Sequence, residues 1–156
     1  MGTGFISGTQ LFLFKEVIVK GRWKFVVPVL FLLATVLLFR FVLFIGYVPT
    51  ESMEPTLPRG SIIVGSRIFD DLKVGDIIVF QHDGKLMVKR IAAVSGDEVI
   101  HKGLMIQVPR GSLYVLGDNK EDSLDSRCWG NPFVEEHDVI AVSALGEEIQ
   151  VRERKN

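Results

Sequence analysis

The chain has one cysteine, Cys128, among 156 residues, so no disulfide can form within it. A single cysteine neither requires nor excludes a location outside the cytoplasm. The net charge is −1, so composition provides no general attraction to nucleic acid, and we expect no nucleic-acid partner. The single cysteine excludes a disulfide-rich scaffold, and the net charge excludes a strongly basic nucleic-acid binder.

Several catalytic and cofactor-binding motifs are also missing. The sequence contains no C-x-x-C pair, no H-E-x-x-H zinc motif, no Walker lysine loop and no G-x-S-x-G turn. It has no internal repeat and no low-complexity tract. We therefore predict no metal and no cofactor, and we look for chemistry in side chains outside these motifs.

One long apolar run lies near the N-terminus. Residues 25–39 carry no charge, and the apolar character continues after Arg40 to Gly46. Because a bilayer-spanning helix needs about 20 apolar residues, we predict an uncleaved transmembrane anchor at 25–46. A cleaved signal peptide is the alternative, but no small-x-small cleavage site follows promptly.

The charges that flank this run predict its orientation. The basic residues before it are Lys15, Lys20, Arg22 and Lys24, against Glu16 alone, whereas Glu51 and Glu54 follow it. The positive-inside rule then places residues 1–24 in the cytoplasm and the chain from residue 47 outside, as in a single-pass cell-membrane protein. Residues 1–20 either lie on the membrane as a short helix or fray.

After residue 59 the sequence changes to short apolar stretches separated by turn residues. Strands are predicted at 61–64, 77–80, 86–94, 98–100, 104–108, 113–116 and 139–145. Asp83 and Gly84 are a typical two-residue hairpin turn. The predicted fold is mainly β, a small antiparallel β-sheet domain over 47–150 preceded by one N-terminal transmembrane helix and followed by a charged tail at 151–156. We expect a monomer.

A proline-rich loop follows the apolar run. Pro49, Pro55 and Pro58 restrict the backbone around Ser52 to a rigid, non-helical loop. A serine in such a loop is most often a plain turn residue. Its position just after a membrane-length segment makes it a candidate for chemistry at a membrane surface.

Strand alternation places Lys89 on one face of the predicted strand 86–94, together with Met87 and Ile91. Burial between apolar neighbours lowers a lysine pKa, because the charged form loses its hydration, and can produce a usable general base. The alternative is that Lys89 reaches water while Arg90 is buried against a carboxylate.

Side chains that form hydrogen bonds are dense in residues 117–130. Asp125 and Arg127 are spaced for a bidentate pair that would fix this loop. A calcium loop fits poorly, because Lys120 and Ser123 stand where an EF-hand requires an acid and a glycine. A solvated turn is the simplest alternative.

Four blocks, taken in order, resemble type I signal peptidases, which are membrane-anchored Ser/Lys proteases that cleave signal peptides from exported proteins. Residues 48–57 are similar to the family's P-S-G-S-M-x-P-T-L, and residues 117–130 are close to G-D-N-R-D-N-S-x-D-S-R-x-W-G. The two blocks between them are residues 75–80 and residues 88–90 with Gly96 and Asp97 beyond. The resemblance runs from about Arg40 to about Ala144; each block alone is modest, but four in order are highly specific.

The resemblance implies a role for each matching residue. Ser52 would be the nucleophile and Lys89 the general base, with the Ser52 backbone N–H and the Thr50 hydroxyl as the oxyanion hole. The residues implied to orient the base and hold the site together are Ser123, Asp125 and Arg127. The residues implied to line shallow pockets for small side chains are Val48, Met53, Leu57 and Val88. The implied partners are signal peptides of exported preproteins and membrane lipid.

The sequence departs from the family pattern at residue 51, at residues 92–95, where Ala-Ala-Val-Ser replaces the usual I-G-L-P, and at residues 120–122. Glu51 replaces a glycine, and residues 120–122 replace R-D-N, so a catalytically silent, membrane-tethered β binding module is the second hypothesis. A self-cleaving regulator with the same dyad ranks third, because such regulators carry a DNA-binding N-terminus rather than an anchor. The histidines His82, His101 and His137 lie outside the four blocks, which argues against a Ser–His–Asp triad and predicts surface positions. The first hypothesis is a serine endopeptidase acting at the outer membrane face.

Overall fold

The computed structural model describes residues 8–144, with side chains from Trp23 onward. The chain divides into two compact units, Met1–Arg40 and Phe41–Asn156. The side chains of the predicted membrane-surface segment, 1–20, and the predicted tail, 151–156, lie outside the described residues.

The first unit is a long helix, α1 (Gly8–Leu37), and a π-helical turn, Leu38–Val42, follows it in the chain. Among the described residues one segment, Trp23–Val42, is long and apolar enough to cross a membrane, and none of it is buried. At a rise of 1.5 Å per residue its 20 residues extend about 30 Å, the thickness of a bilayer's hydrocarbon core. An apolar helical segment of this length with no buried residue fits a lipid environment.

The end of this apolar segment differs from the sequence prediction. The predicted anchor extended to Gly46, but the structure forms a strand, β1 (Leu43–Tyr47), at that point. β1 pairs antiparallel with β2 (Ile62–Ser66). Hydropathy alone does not distinguish a short apolar strand from the last turn of an apolar helix, and the strand that pairs with β1 lies beyond the Ser52 loop.

Besides β1 and β2, the strands of the second unit in the described residues are β3 (Ile77–His82), β4 (Lys85–Ala93), β5 (Glu98–His101), β6 (Leu104–Gln107), β7 (Ser112–Leu116), β8 (Phe133–Glu135) and β9 (Val139–Ser143). They form a seven-stranded antiparallel sheet in the order β1-β2-β9-β3-β4-β7-β8 and a separate two-stranded sheet of β5 and β6. The predicted class, mainly antiparallel β with one N-terminal helix, is confirmed. Sequence reasoning missed β1 and the three-residue β8.

The turn between β3 and β4 sets the register of the strand that carries Lys89. Asp83 and Gly84 both have positive φ, 48° and 73°, and they join His82 directly to its partner Lys85. Two successive positive φ values are the type I′ geometry, which matches the twist of a hairpin. Counting along both strands from this turn places Lys89 opposite Ile78 of the central strand, β3.

The central strand β3 buries side chains on both of its faces. Residues 77–80 are all buried, and alternation sends them to two separate apolar clusters. Ile77 and Val79 pack in the cluster that also contains Met53 and Leu57 from the Ser52 loop. The core therefore holds this loop against the sheet.

β2 joins β9 through only two residue pairs, Gly65 with Ser143 and Ser66 with Val142. A Cβ on Gly65 would lie 2.7 Å from the Val142 carbonyl oxygen, closer than packed atoms allow. We predict that Gly65→Ala forces β2 from β9 and lowers the free energy of unfolding by about 1–3 kcal/mol. Denaturant titration of the detergent-solubilised chain measures this. Gly130→Ala, whose Cβ would meet nothing within 4 Å, is the matched control, and equal losses in both variants would contradict the prediction.

Candidate active site

The loop that carries Ser52 is held by a turn far along the chain. The Asn119 backbone N–H donates to the Ser52 carbonyl oxygen at 3.1 Å, and its Nδ2 donates to the Glu51 carbonyl oxygen at 3.2 Å. On the other side, Met53 and Leu57 are buried in the core. The backbone of Ser52 is therefore fixed on both sides, and its side chain is buried.

The Ser52 hydroxyl meets a buried amine. Nζ of Lys89 is hydrogen-bonded to Oγ of Ser52 at 2.6 Å, and Lys89 is only 3% exposed. Loss of hydration lowers the pKa of Lys89 below its usual 10.5; the charges of Asp125 and Asp118 oppose this shift, and that of Arg127 adds to it. A larger fraction of Lys89 is therefore neutral at a given pH than of an exposed lysine.

A second hydroxyl lies beside the first. Oγ1 of Thr50 is 3.3 Å from Oγ of Ser52, close enough for a hydrogen bond in which either group donates. Thr50 is exposed, whereas Ser52 is buried. The pair of hydroxyls therefore connects the buried amine with solvent.

Asp125 is fully buried at the centre of a hydrogen-bond network. Arg127 donates from Nε to Oδ1 at 2.9 Å and from Nη2 to Oδ2 at 2.6 Å, so the bidentate pair indicated by their spacing is present. Ser123 Oγ donates to Oδ2 at 2.7 Å, and the Gly117 N–H donates at 2.9 Å. Burial alone would raise the pKa of Asp125, but hydrogen bonds from Arg127, Gly117 and Ser123 outweigh it and lower that pKa to about 2.

Ser123 and Gly117 bring this network against the nucleophile loop. The Ser123 hydroxyl donates to Asp125, whose charge in turn acts on Lys89, so the geometry connects Ser123 to the amine through Asp125. A Cβ on Gly117 would overlap Ser123 Oγ and crowd the Ser52 carbonyl oxygen. Only glycine allows the chain to pass between them.

Arg90 makes a second ion pair next to the first. It donates to both Asp118 oxygens, from Nε at 2.8 Å and from Nη2 at 2.7 Å, and from Nη1 to the Gly75 carbonyl oxygen at 2.7 Å. Burial would raise the pKa of Asp118, but hydrogen bonds from Arg90 and Thr56 lower it. The alternative in which Lys89 reaches water is wrong, because Lys89 is buried. Its other part holds, because Arg90 is paired with the Asp118 carboxylate.

A cleft of about 460 Å³ opens beside Ser52 and Lys89. Residues 44–50 line one side and residues 85–89 of β4 line the other. β7 pairs with β4 only within Arg90–Ala93, and β1 is the outermost strand of the sheet. Among the described strands, both β1 and the first half of β4 therefore present a backbone edge without a strand partner.

Three of the four predicted pocket residues lie in the lining of this cleft, namely Val48, Met53 and Val88. The fourth, Leu57, is buried in the same apolar cluster as Val48 and Met53 but does not line the cleft. The resemblance identified the apolar side of the site, but not which of its members face the opening.

The departures at Glu51 and at residues 120–122 lie at the surface. The Glu51 carboxylate forms an exposed ion pair with Arg59 at 3.2 Å, and residues 120–122 are exposed. Exposed pairs of this kind contribute little to stability. Neither substitution removes a contact of the Ser52 hydroxyl, whose hydrogen-bond partners are Lys89 and Thr50.

The expectation of three surface histidines is only partly correct. His137 is exposed, but His82 and His101 are half-buried. His82 stacks on Trp129 with ring centroids 4.0 Å apart, and His101 packs edge-on against Tyr114. Aromatic packing, which sequence spacing does not show, accounts for their burial.

A family profile described as "Signal peptidase, peptidase S26" matches residues 22–108 and 101–145. The chain belongs to this family. The Synechocystis protein named "Probable signal peptidase I-1" is 30% identical over 165 residues, which cover 78% of this chain and 82% of that protein. The resemblance to type I signal peptidases is confirmed.

Organellar proteins of this kind are also similar. Human "Mitochondrial inner membrane protease subunit 1" is 33% identical over 51% of this chain and 55% of its own length. Arabidopsis thaliana "Thylakoidal processing peptidase 1, chloroplastic" is 28% identical over 53% of this chain and 36% of its own length. The matched region thus spans most of the cyanobacterial relative but about half or less of these two.

Sequence reasoning assigned no role to three consecutive residues that assemble the site. Gly117 contacts the Asp125 network, Asp118 contacts Arg90, and Asn119 contacts the Ser52 loop. Their position at the start of the fourth block was the only sequence signal for a role in the site. The structure identifies their three partners, because these depend on how the strands pair.

Asp125 should make this family member sensitive to acid. Its pKa is about 2 in the fold against 3.8 for a free side chain, so its ionised form stabilises the fold by about 2 kcal/mol above pH 3.8. This stability is lost as pH falls through 3.8 toward 2. We predict that the free energy of unfolding of Asp125→Asn is lower at pH 7 and falls less over that window, by denaturant titration. Exposed Asp71→Asn is the control, and an unchanged acid slope in Asp125→Asn would contradict the prediction.

Proposed function

We propose that the protein is a serine endopeptidase that cleaves N-terminal signal peptides from exported preproteins, with Ser52 as nucleophile and Lys89 as general base. Membership of the signal peptidase family supports the reaction class. The observation that carries the choice of groups is the 2.6 Å hydrogen bond between a buried lysine amine and a serine hydroxyl. The comparisons with known proteins give no support to the catalytically silent binding module.

In the proposed acylation step, neutral Lys89 takes the proton of the Ser52 hydroxyl as Oγ attacks the carbonyl carbon of the scissile bond. The tetrahedral intermediate collapses when the Lys89 ammonium gives this proton to the leaving nitrogen. The mature protein then departs with a free amino terminus. The signal peptide remains as an ester on Ser52.

Deacylation repeats these proton transfers with water as the nucleophile. Lys89 takes a proton from the water that attacks the ester carbonyl carbon, and it returns that proton to Ser52 Oγ as the ester bond breaks. The signal peptide leaves with a free carboxyl group. Both side chains are then in their starting states, so the cycle needs no metal and no cofactor.

A lysine can act in this way only if enough of it is neutral. With the usual pKa, about one molecule in a few thousand is neutral at pH 7. Burial of Lys89 supports the role of base, because desolvation lowers its pKa. Arg127 supports it too, since this cation holds the Asp125 carboxylate that would otherwise favour the ammonium form more strongly.

The proposed oxyanion hole consists of the Ser52 backbone N–H and the Thr50 hydroxyl. Preorganised donors aimed at the developing negative charge are worth about 3 kcal/mol each. The 3.3 Å separation between the Thr50 and Ser52 hydroxyl oxygens supports this role, because it places Thr50 beside the attacking atom.

The end of the signal peptide would bind in the cleft as an extended strand. The unpaired edges of β1 and β4 support this arrangement, because they offer main-chain hydrogen bonds to an added strand. Val48, Met53 and Val88 would form the wall that accepts small side chains and excludes large ones. Leu57 would act from within the core by holding this wall.

The site would lie outside the cytoplasm on an anchored, monomeric protein in contact with membrane lipid. The apolar segment Trp23–Val42 supports the anchor, and the basic residues that precede it in the sequence support a cytoplasmic N-terminus. One chain supplies every group of the proposed site, which supports a monomer. We assign residues 1–24 to the cytoplasmic segment, and we begin the catalytic domain at β1 (Leu43–Tyr47) instead of at the expected residue 47, because β1 is part of its sheet.

The dyad is tested by cleavage of a model precursor with the detergent-solubilised chain between pH 6 and 10. We expect wild-type kcat/KM to rise with pH through a midpoint well below 10.5, because the base must lose its proton at a lowered pKa. Ser52→Ala and Lys89→Ala should be inactive, and Lys120→Ala, an exposed lysine, should match wild type. Wild-type activity in Lys89→Ala would refute the assignment of the base.

Thr50 gives an independent test of the oxyanion hole. We predict that Thr50→Val, which keeps the shape and removes the hydroxyl, lowers kcat by about 10²–10³-fold, while Thr50→Ser retains most of it. Steady-state kinetics on the same precursor measure both variants, and their melting temperatures show that they fold. A loss below about threefold in Thr50→Val would remove Thr50 from this role.

A further inference from the structure

The cleft beside Ser52 is lined by side chains of one charge sign only. Among the described residues that line it, the only basic side chains are those of Lys85 and Lys89, and none is acidic. Lys89 is buried, and its proposed role requires the neutral form. Lys85 is exposed, so it brings a positive charge to a cleft whose other walls are largely apolar. Walls of low dielectric constant concentrate the field of such a charge inside the cleft.

No neighbouring group neutralises the charge of Lys85. Among the described residues, its amine forms no ion pair and no hydrogen bond with another side chain. Asp83, in the turn just before it, is paired instead with the imidazole of His82, at 3.7 Å between Oδ2 and Nε2. The Lys85 ammonium is therefore available to an opposite charge on a bound molecule.

The distance between the two lysines gives the place of Lys85 along the cleft. Lys89 is hydrogen-bonded to Ser52, so the attacked bond lies at that end. Lys85 lies four residues earlier on the same extended strand, about 13 Å away at 3.3 Å per residue. A peptide strand beside β4 has the same rise, so Lys85 lies beside about the fifth residue before the cleaved bond. A charge there acts on Lys85 whichever way its side chain turns, because charges interact over about 10 Å in 0.1 M salt.

We propose that Lys85 is a specificity-determining residue that favours an acidic side chain about five residues before the cleaved bond and disfavours a basic one. This inference rests on the proposed function, which places the end of the signal peptide in this cleft. Charge complementarity of this kind acts mainly on selectivity. Because the two groups would meet at an exposed part of the cleft, the preference is modest and depends on salt.

The test uses three precursors that differ only at the fifth residue before the cleaved bond, which is glutamate, glutamine or lysine. In low salt we expect wild-type kcat/KM to be about fivefold higher for glutamate than for lysine, with glutamine between them. The difference should lie mainly in KM, because the contact is made in the ground state as well as in the transition state. About 1 M salt should bring the ratio close to one, since it shortens the screening length to about 3 Å.

Variants of Lys85 show whether this side chain is the source of the preference. Lys85→Gln should bring the ratio of glutamate to lysine precursor to about one, and Lys85→Glu should reverse it. Lys120→Gln removes an exposed lysine outside the cleft lining, so it is the matched control and should keep the wild-type ratio. Melting temperatures show that these surface variants fold, and cleavage of the glutamine precursor shows that each is active.

The outcomes separate failure of this inference from failure of the proposed function. A wild-type ratio near one in low salt, with all three precursors cleaved, would refute the role of Lys85 and leave the proposed function intact. A fivefold preference that persists in Lys85→Gln would also refute it, because the selection would then arise elsewhere. Cleavage of none of the precursors by wild type would refute the proposed function, and the role of Lys85 with it.

Discussion

The hydrogen bond between Nζ of Lys89 and Oγ of Ser52 requires a lysine to remain where water scarcely reaches it. Desolvation disfavours the ammonium form, and the surroundings must hold the Lys89 amine against the Ser52 hydroxyl at 2.6 Å. Such a group has few favourable contacts of its own. Its position therefore depends on neighbours that are fixed by other interactions.

Two arginine–carboxylate pairs provide that fixation. Arg127 with Asp125 holds the loop after β7, and Arg90 with Asp118 connects this loop to β4. Both carboxylates favour the charged form of Lys89, so an unpaired aspartate at either place would oppose the role of base that we propose for Lys89. An arginine partner offsets the negative charge of each carboxylate. The hydrogen bonds by which the carboxylate organises the site are kept. Gly117 then lets the loop approach Ser52 without a side chain in between.

Much of this arrangement could be predicted from the sequence, because local signals and global fold agree. The Asp83 and Gly84 turn indicated the hairpin, and spacing indicated the pair of Asp125 and Arg127. Alternation placed Lys89 on a face with Met87 and Ile91, and the family resemblance favoured its burial over the alternative that it reaches water. Two kinds of feature could not be predicted. The residues of β1 were assigned to the anchor. Hydropathy is read from neighbouring residues, whereas β1 is defined by its pairing with β2, which lies further along the chain. Asp118 contacts Arg90, and Asn119 contacts Ser52. These contacts join distant parts of the chain, so they depend on how the strands pair, which no short stretch of sequence determines.

The proposed role of Lys89 as a base depends on its burial beside Ser52. The most direct measurement is the pKa of its amine in the detergent-solubilised chain, by NMR titration of isotopically labelled lysine, with Lys89→Arg used to assign its signal. We predict a midpoint for Lys89 clearly below 10.5. A Lys89 midpoint at or above 10.5 would mean that the amine is charged in the resting protein, and would contradict this role.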